Sequence, residues 1–204
     1  MTNPSPSPSP SPSPSPSRSP PRLRERLHYD ATRGALHDGP RRYMLLRPDN
    51  LMGALRTLDP ATRETMFEAL AQSTLRFGGD SLRAYAAEAP GDAQALIDAT
   101  VGAAADLGWG LWTVRKRGEA LQVLVQHSPF AAGWLASDTR KEPRPDPLRD
   151  PDSPVVCAPI RGLLAALAGA LGWSGVSVQE MSCAAQGHAD CRFIAEPTGG
   201  DAKT

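Results

Sequence analysis

The chain has 204 residues, with 22 basic and 22 acidic side chains and no formal net charge. That balance speaks against a nucleic-acid partner, which draws a clear basic excess, and no apolar run reaches membrane-spanning length. Three cysteines cannot be fully paired into disulfides, and the first residues lack the apolar core of an export signal, so a cytoplasmic location is expected.

Nine of the 21 prolines fall within the first 21 residues, and residues 4–17 alternate strictly between Pro and Ser. Such a stretch is expected to stay an extended, polyproline-like coil. Residues 1–26, including the solvated basic collar of Arg22, Arg24 and Arg26, are therefore read as a disordered tail. Residues 27–196 are expected to form a single domain, and 197–204 a flexible terminus.

Residues 41–47 read as a strand entering the core. The sequence Pro48-Asp49-Asn50 opens a helix with Leu51, Met52, Leu55 and Leu58 at the spacing of a buried stripe. Asp59-Pro60 caps and starts a second helix, whose buried face holds Met66, Phe67, Leu70 and Leu75. Gly78-Gly79 is expected to end or bend it, with a continuation capped by Asp80 and carrying Leu82 and Tyr85. Asp92 caps another helix through Leu96, Ile97, Val101 and Ala104.

From Gly108 the pattern changes. Residues 109–114 and 120–125 read as a β-hairpin around Lys116-Arg117-Gly118, with Leu121, Val123, Val125 and His127 in one row. Residues 138–154, dense in Pro, Asp and Arg, read as a mobile loop. A helix over 159–171 follows, with Ile160, Leu163, Leu164, Leu167 and Leu171 on one stripe. Short strands at 176–182 and 191–195 close the chain. The expected fold is α+β: a short-stranded antiparallel sheet packed against several helices.

The chemistry gathers near the end. Cys183 and Cys191 flank a reversal that Gly187 permits, Glu180 stands three residues before Cys183, and Cys157 immediately precedes a helix. Three thiolates and a carboxylate satisfy a tetrahedral zinc ion, and the helix start favours ionisation of Cys157. His188 competes with Glu180 as fourth ligand. Three small buried residues, or a redox pair of Cys183 and Cys191, are the other readings that spacing leaves open. Upstream, Trp109, Trp112, Phe130 and Trp134 bunch together in a chain with few aromatics, and His127 lies among them. Apolar walls with one polar group suit a flat, mostly apolar ligand; ordinary core packing explains the same residues.

The run from Val178 through Glu180 and Cys183 to Gly187, followed by Cys191-Arg192-Phe193, resembles the closing motif of the 4-vinyl reductase domain family. Arg42-Tyr43-Met44-Leu45-Leu46, Gly108-Trp109-Gly110, His127-Ser128-Pro129-Phe130 and Pro154-Val155-Val156-Cys157 support the resemblance over residues 40–196. The family includes bacteriochlorophyll 4-vinyl reductase proteins and sensor domains of phenol- and xylene-responsive activators. The resemblance implies a structural zinc on Cys157, Glu180, Cys183 and Cys191. It also implies His127 and Trp134 as the pair that meets an aromatic ligand, with Trp109 or Trp112 as alternatives, and a homodimer. A zinc-containing binding or accessory protein for a bacteriochlorophyll precursor is the leading expectation; a stand-alone sensor of aromatic hydrocarbons or phenols is the second. Genuine vinyl reduction is the third. It needs an electron source, and neither a Gly-rich dinucleotide fingerprint nor spare cysteines for an iron–sulfur cluster occur.

Overall fold

The computed structural model describes residues 22–88, 90–138 and 154–199. The Ser-Pro tail, most of the expected 138–154 loop and the last five residues lie outside them.

Helix α1 (Leu23–Arg26) precedes a small sheet of β1 (His28–Asp30), β2 (Ala35–Asp38) and β3 (Arg41–Tyr43), antiparallel in that order. The expected strand over 41–47 is thus shorter, and it does not enter the core. Only Arg41–Tyr43 pairs, against Asp38–Leu36. Beyond it Met44 and Leu45 are 76% and 92% exposed, because the chain leaves the sheet to reach the next helix.

Helix α2 (Pro48–Arg56) buries Met52 and Leu55 as its periodicity requires. Helix α3 (Pro60–Glu88) begins where Asp59 accepts hydrogen bonds from the backbone N–H groups of Ala61 and Thr62, both at 3.1 Å. It runs unbroken through Gly78-Gly79, against the expectation of a break there. The reason is packing: a Cβ on Gly78 would stand 3.2 Å from a methyl of Leu163 on a crossing helix, and that contact outweighs the low helix propensity of glycine. Helix α4 (Ala93–Asp106) starts at Asp92, whose carboxylate accepts from Ala95 N–H at 2.9 Å.

The main sheet is antiparallel with the order β4-β5-β7-β6, built from β4 (Leu111–Arg117), β5 (Ala120–Gln126), β6 (Val176–Ser182) and β7 (Cys191–Pro197). Between its two hairpins come α5 (Pro129–Ala136), which sequence patterning did not reveal, and α6 (Ala158–Ala170). Helix α6 is buried along nearly its whole circumference, packing on β6 and β7 and against α3. Leu121, Val123 and Val125 of β5 face it together with Cys191, Phe193 and Ala195 of β7. The class is α+β, as expected.

A candidate metal centre and an apolar groove

Four elements bring the cluster together. Val125 of β5 pairs with Cys191, which places that thiol on the inner face at the start of β7. Glu180 pairs with Phe193 on the same face. In a regular strand, residues three apart point to opposite sides of the sheet, so Glu180 and Cys183 ought to diverge. A bulge between Glu180 and Ser182 inserts Met181 and restores Cys183 to the inner side. A 3-10 turn (Ala184–Gln186) and Gly187, at φ +91°, then reverse the chain toward Cys191. Cys157, the residue before α6, comes from below.

All three thiols are buried. Cys191 Sγ lies 3.5 Å from Cys157 Sγ and 4.0 Å from Cys183 Sγ. The ligand atoms of Cys157, Glu180, Cys183 and Cys191 all fall within 4.8 Å of one another. A tetrahedron with metal–sulfur bonds of about 2.3 Å has edges of about 3.8 Å, between the two sulfur separations. Glu180 Oε2 accepts from Cys157 N–H at 3.2 Å, whereas Oε1 is buried with no hydrogen-bond partner. A buried carboxylate oxygen left that way is costly unless something positive faces it. The set could hold a metal ion. His188 is not among the grouped ligands, so the alternative with Glu180 replaced finds no support in the geometry.

Among the protein groups alone, the cluster resists multiple negative charges. Burial, reinforced by Cys183, pushes the Glu180 carboxyl up to about 9. Burial likewise holds the Cys157 thiol well above its ordinary range. The helix-start argument for easy ionisation of Cys157 is therefore overturned: desolvation outweighs the helix dipole. Cys191 moves the other way, to about 4, because Cys157, Cys183 and the backbone N–H of Ala184 donate to its sulfur. A divalent cation placed at the centre would reverse this order and favour four deprotonated ligands.

The aromatic residues do not form one site. Trp112 and Trp134 are core residues, Trp134 at 3% exposure with the guanidinium of Arg56 4.1 Å from its ring centroid. His127 takes φ +58° and is exposed, so it leaves the row of Leu121, Val123 and Val125 instead of ending it. Trp109 and Phe130 do meet, edge to face at 5.3 Å between centroids. They line a groove of about 740 Å³ together with Leu27, Tyr43, Leu51, Leu70 and Pro159 among others. Trp112, His127 and Trp134 are not in its wall. The segment Met44-Leu45-Leu46 borders the groove, which explains apolar side chains lying outside the core. No sequence signal marked these three as groove residues, because an apolar run after a strand reads as more strand.

Residues 152–197 match the family model of the 4-vinyl reductase domain, the family whose closing motif the cysteine region resembles. No curated protein sequence matches the chain. Among solved structures, the phenol-responsive sensory domain of the transcription activator PoxR, crystallised with phenol, is similar over 86% of each chain. Its TM-score is 0.64 and its identity 19%, a likeness of fold. A trafficking protein particle complex subunit 3 from Naegleria fowleri, covalently bound to palmitic acid, is 10% identical with a TM-score of 0.46, covering 74% of this chain and 95% of its own. A vinyl-4-reductase family protein from Methanocaldococcus jannaschii is 13% identical with a TM-score of 0.41, covering 77% and 98%.

Proposed function

We propose that the protein binds a flat, hydrophobic small molecule in the groove beside Trp109 and Phe130, and that a structural zinc ion on Cys157, Glu180, Cys183 and Cys191 holds the binding domain together. The observation that carries the reading is the convergence of three sulfurs and one carboxylate with an orphaned oxygen, close behind the groove wall that includes Pro159. Sulfur-rich tetrahedral sets select zinc over harder cations. Four protein ligands leave no open position for substrate or water, so the ion fastens β6, β7 and α6 and takes no part in chemistry.

A groove of about 740 Å³ suits a molecule of several rings. A vinyl-bearing bacteriochlorophyll precursor is accordingly the first ligand class, and the protein's part is to bind and hand on that precursor. A single-ring aromatic, as in a stand-alone sensor, is the second reading, favoured by the fold shared with a phenol-responsive domain. Self-association into a homodimer belongs to the same proposal. Among the described residues no helix is long and apolar enough to cross a membrane.

The test is quenching of tryptophan fluorescence in the zinc-loaded protein by a divinyl chlorophyllide and, separately, by phenol. Saturable quenching by the pigment alone supports the first ligand class, and saturation by phenol alone the second. Neither ligand binding rejects the groove reading. Reduction of the vinyl group when a nicotinamide cofactor is added would replace binding with catalysis.

A further inference from the structure

Ser128 is 3% exposed and sits just past the end of β5. Its Oγ accepts a long hydrogen bond from Ala131 N–H at 3.5 Å as the cap of α5, and lies 3.2 Å from Cys157 Sγ. With a lone pair turned to Ala131, the hydroxyl hydrogen is free to point at the sulfur. A metal-bound thiolate has no hydrogen of its own, so there the serine must be the donor. Cys157 is itself the cap residue of α6. Two helix starts are therefore joined by one buried hydrogen bond, and both continue directly into the groove: Pro129 and Phe130 line it from α5, Pro159 from α6.

We propose that Ser128 is a positioning residue for Cys157, and that through it metal binding and occupancy of the groove are linked. The inference rests on the metal and groove reading given above and adds a thermodynamic connection between the two. The ion fixes the Cys157 sulfur, the serine hydroxyl aligns to that sulfur, and the first turns of α5 and α6 are held at one spacing. A ligand between Phe130 and Pro159 meets walls already in place. Linkage is reciprocal, so a ligand that prefers this spacing must tighten metal binding by the same factor.

Zinc affinity is measured against a chromophoric chelator, and groove affinity with 1-naphthol as the probe, followed by tryptophan fluorescence. Ser128→Gly and Ser128→Ala separate the two roles of the side chain, because glycine at a helix cap forfeits far less than alanine. Both variants are expected to bind zinc about tenfold more weakly, the usual effect of losing a partner just outside the ligand shell. The sulfur-to-cobalt charge-transfer band of the cobalt-loaded protein shifts in both. Wild-type protein loaded with zinc is expected to bind 1-naphthol about fivefold more tightly than zinc-free protein, and Ser128→Gly narrows that difference. Unchanged zinc affinity and cobalt spectrum in Ser128→Gly, with only Ser128→Ala less stable, would reduce Ser128 to a helix cap and overturn the inference. Equal 1-naphthol affinities with and without zinc, or no 1-naphthol binding in either state, overturn the linkage while leaving metal binding standing. Failure of the wild type to take up zinc rejects the metal reading itself.

Discussion

Glu180 is the residue on which the metal centre turns. It is the one carboxylate on the inner sheet face beside the three thiols, with one oxygen committed to Cys157 N–H and the other unpartnered. Glu180→Gln keeps the shape and removes the charge, so zinc affinity is expected to fall at least about tenfold in a chelator competition, with the metal-free protein near its original stability. Proton competition gives the pH dependence. In the metal-free protein the Glu180 pKa lies at about 9 against an ordinary 4.5, so its contribution is present below 4.5 and lost as pH rises through 9. Cys191 lies at about 4 against 9.0, so its contribution is present above 9 and lost as pH falls through 4. Between those limits the two oppose each other, and metal-free stability should vary little with pH. Zinc displaces the Glu180 proton, so its affinity should rise with pH across the neutral range, about tenfold per unit for each proton displaced. A titration showing pH-independent affinity between those limits would contradict this assignment of protons. The four ligands were legible in the sequence because their spacing and neighbours form a specific motif. Ser128 was not: a serine before a proline announces only a helix start, and its sulfur partner lies 29 residues away.

The elements around the cluster owe their arrangement to close backbone approach. A Cβ on Gly162 of α6 would run into the backbone carbonyl of Ala71 on α3, whereas one on Gly169 of the same helix meets nothing within 4 Å. Gly162→Ala is expected to cost about 1–3 kcal/mol, because backbone is the obstacle and both helices must separate. Gly169→Ala should stabilise by about 0.4–1 kcal/mol through the loss of freedom in the unfolded chain. Urea denaturation of the two variants checks the contrast, and equal midpoints would mean that α3 and α6 do not cross as described. The amphipathic helices, the final hairpin and its bounding residues could be read from periodicity and caps. What escaped were elements without a periodic apolar signal. The small β1–β3 sheet is built of strands of three or four residues, mostly exposed or half-buried. Helix α5 is apolar on all sides and short, so it has no stripe to detect. The bulge at Met181 was equally hidden, although without it Glu180 and Cys183 would face apart.

For the molecule as a whole, the division of labour among tryptophans distinguishes core from groove. Trp134→Ala should destabilise the fold by about 3–5 kcal/mol, since the ring is buried against Phe67 and two arginines. Trp109→Ala, at the half-buried groove wall, should weaken binding of the pigment or of 1-naphthol more than it lowers the melting temperature. The groove itself was only partly foreseeable, because it forms where the small sheet, α2, α3 and the starts of α5 and α6 meet, and no local pattern records that meeting. The metal centre remains the feature on which fold and binding both depend. The decisive measurement is elemental analysis of untagged protein purified without added metal, paired with its melting temperature before and after chelation. One zinc per chain and a clear fall in melting temperature once the zinc is stripped are expected; protein that carries no metal and melts identically with and without chelator would contradict the account.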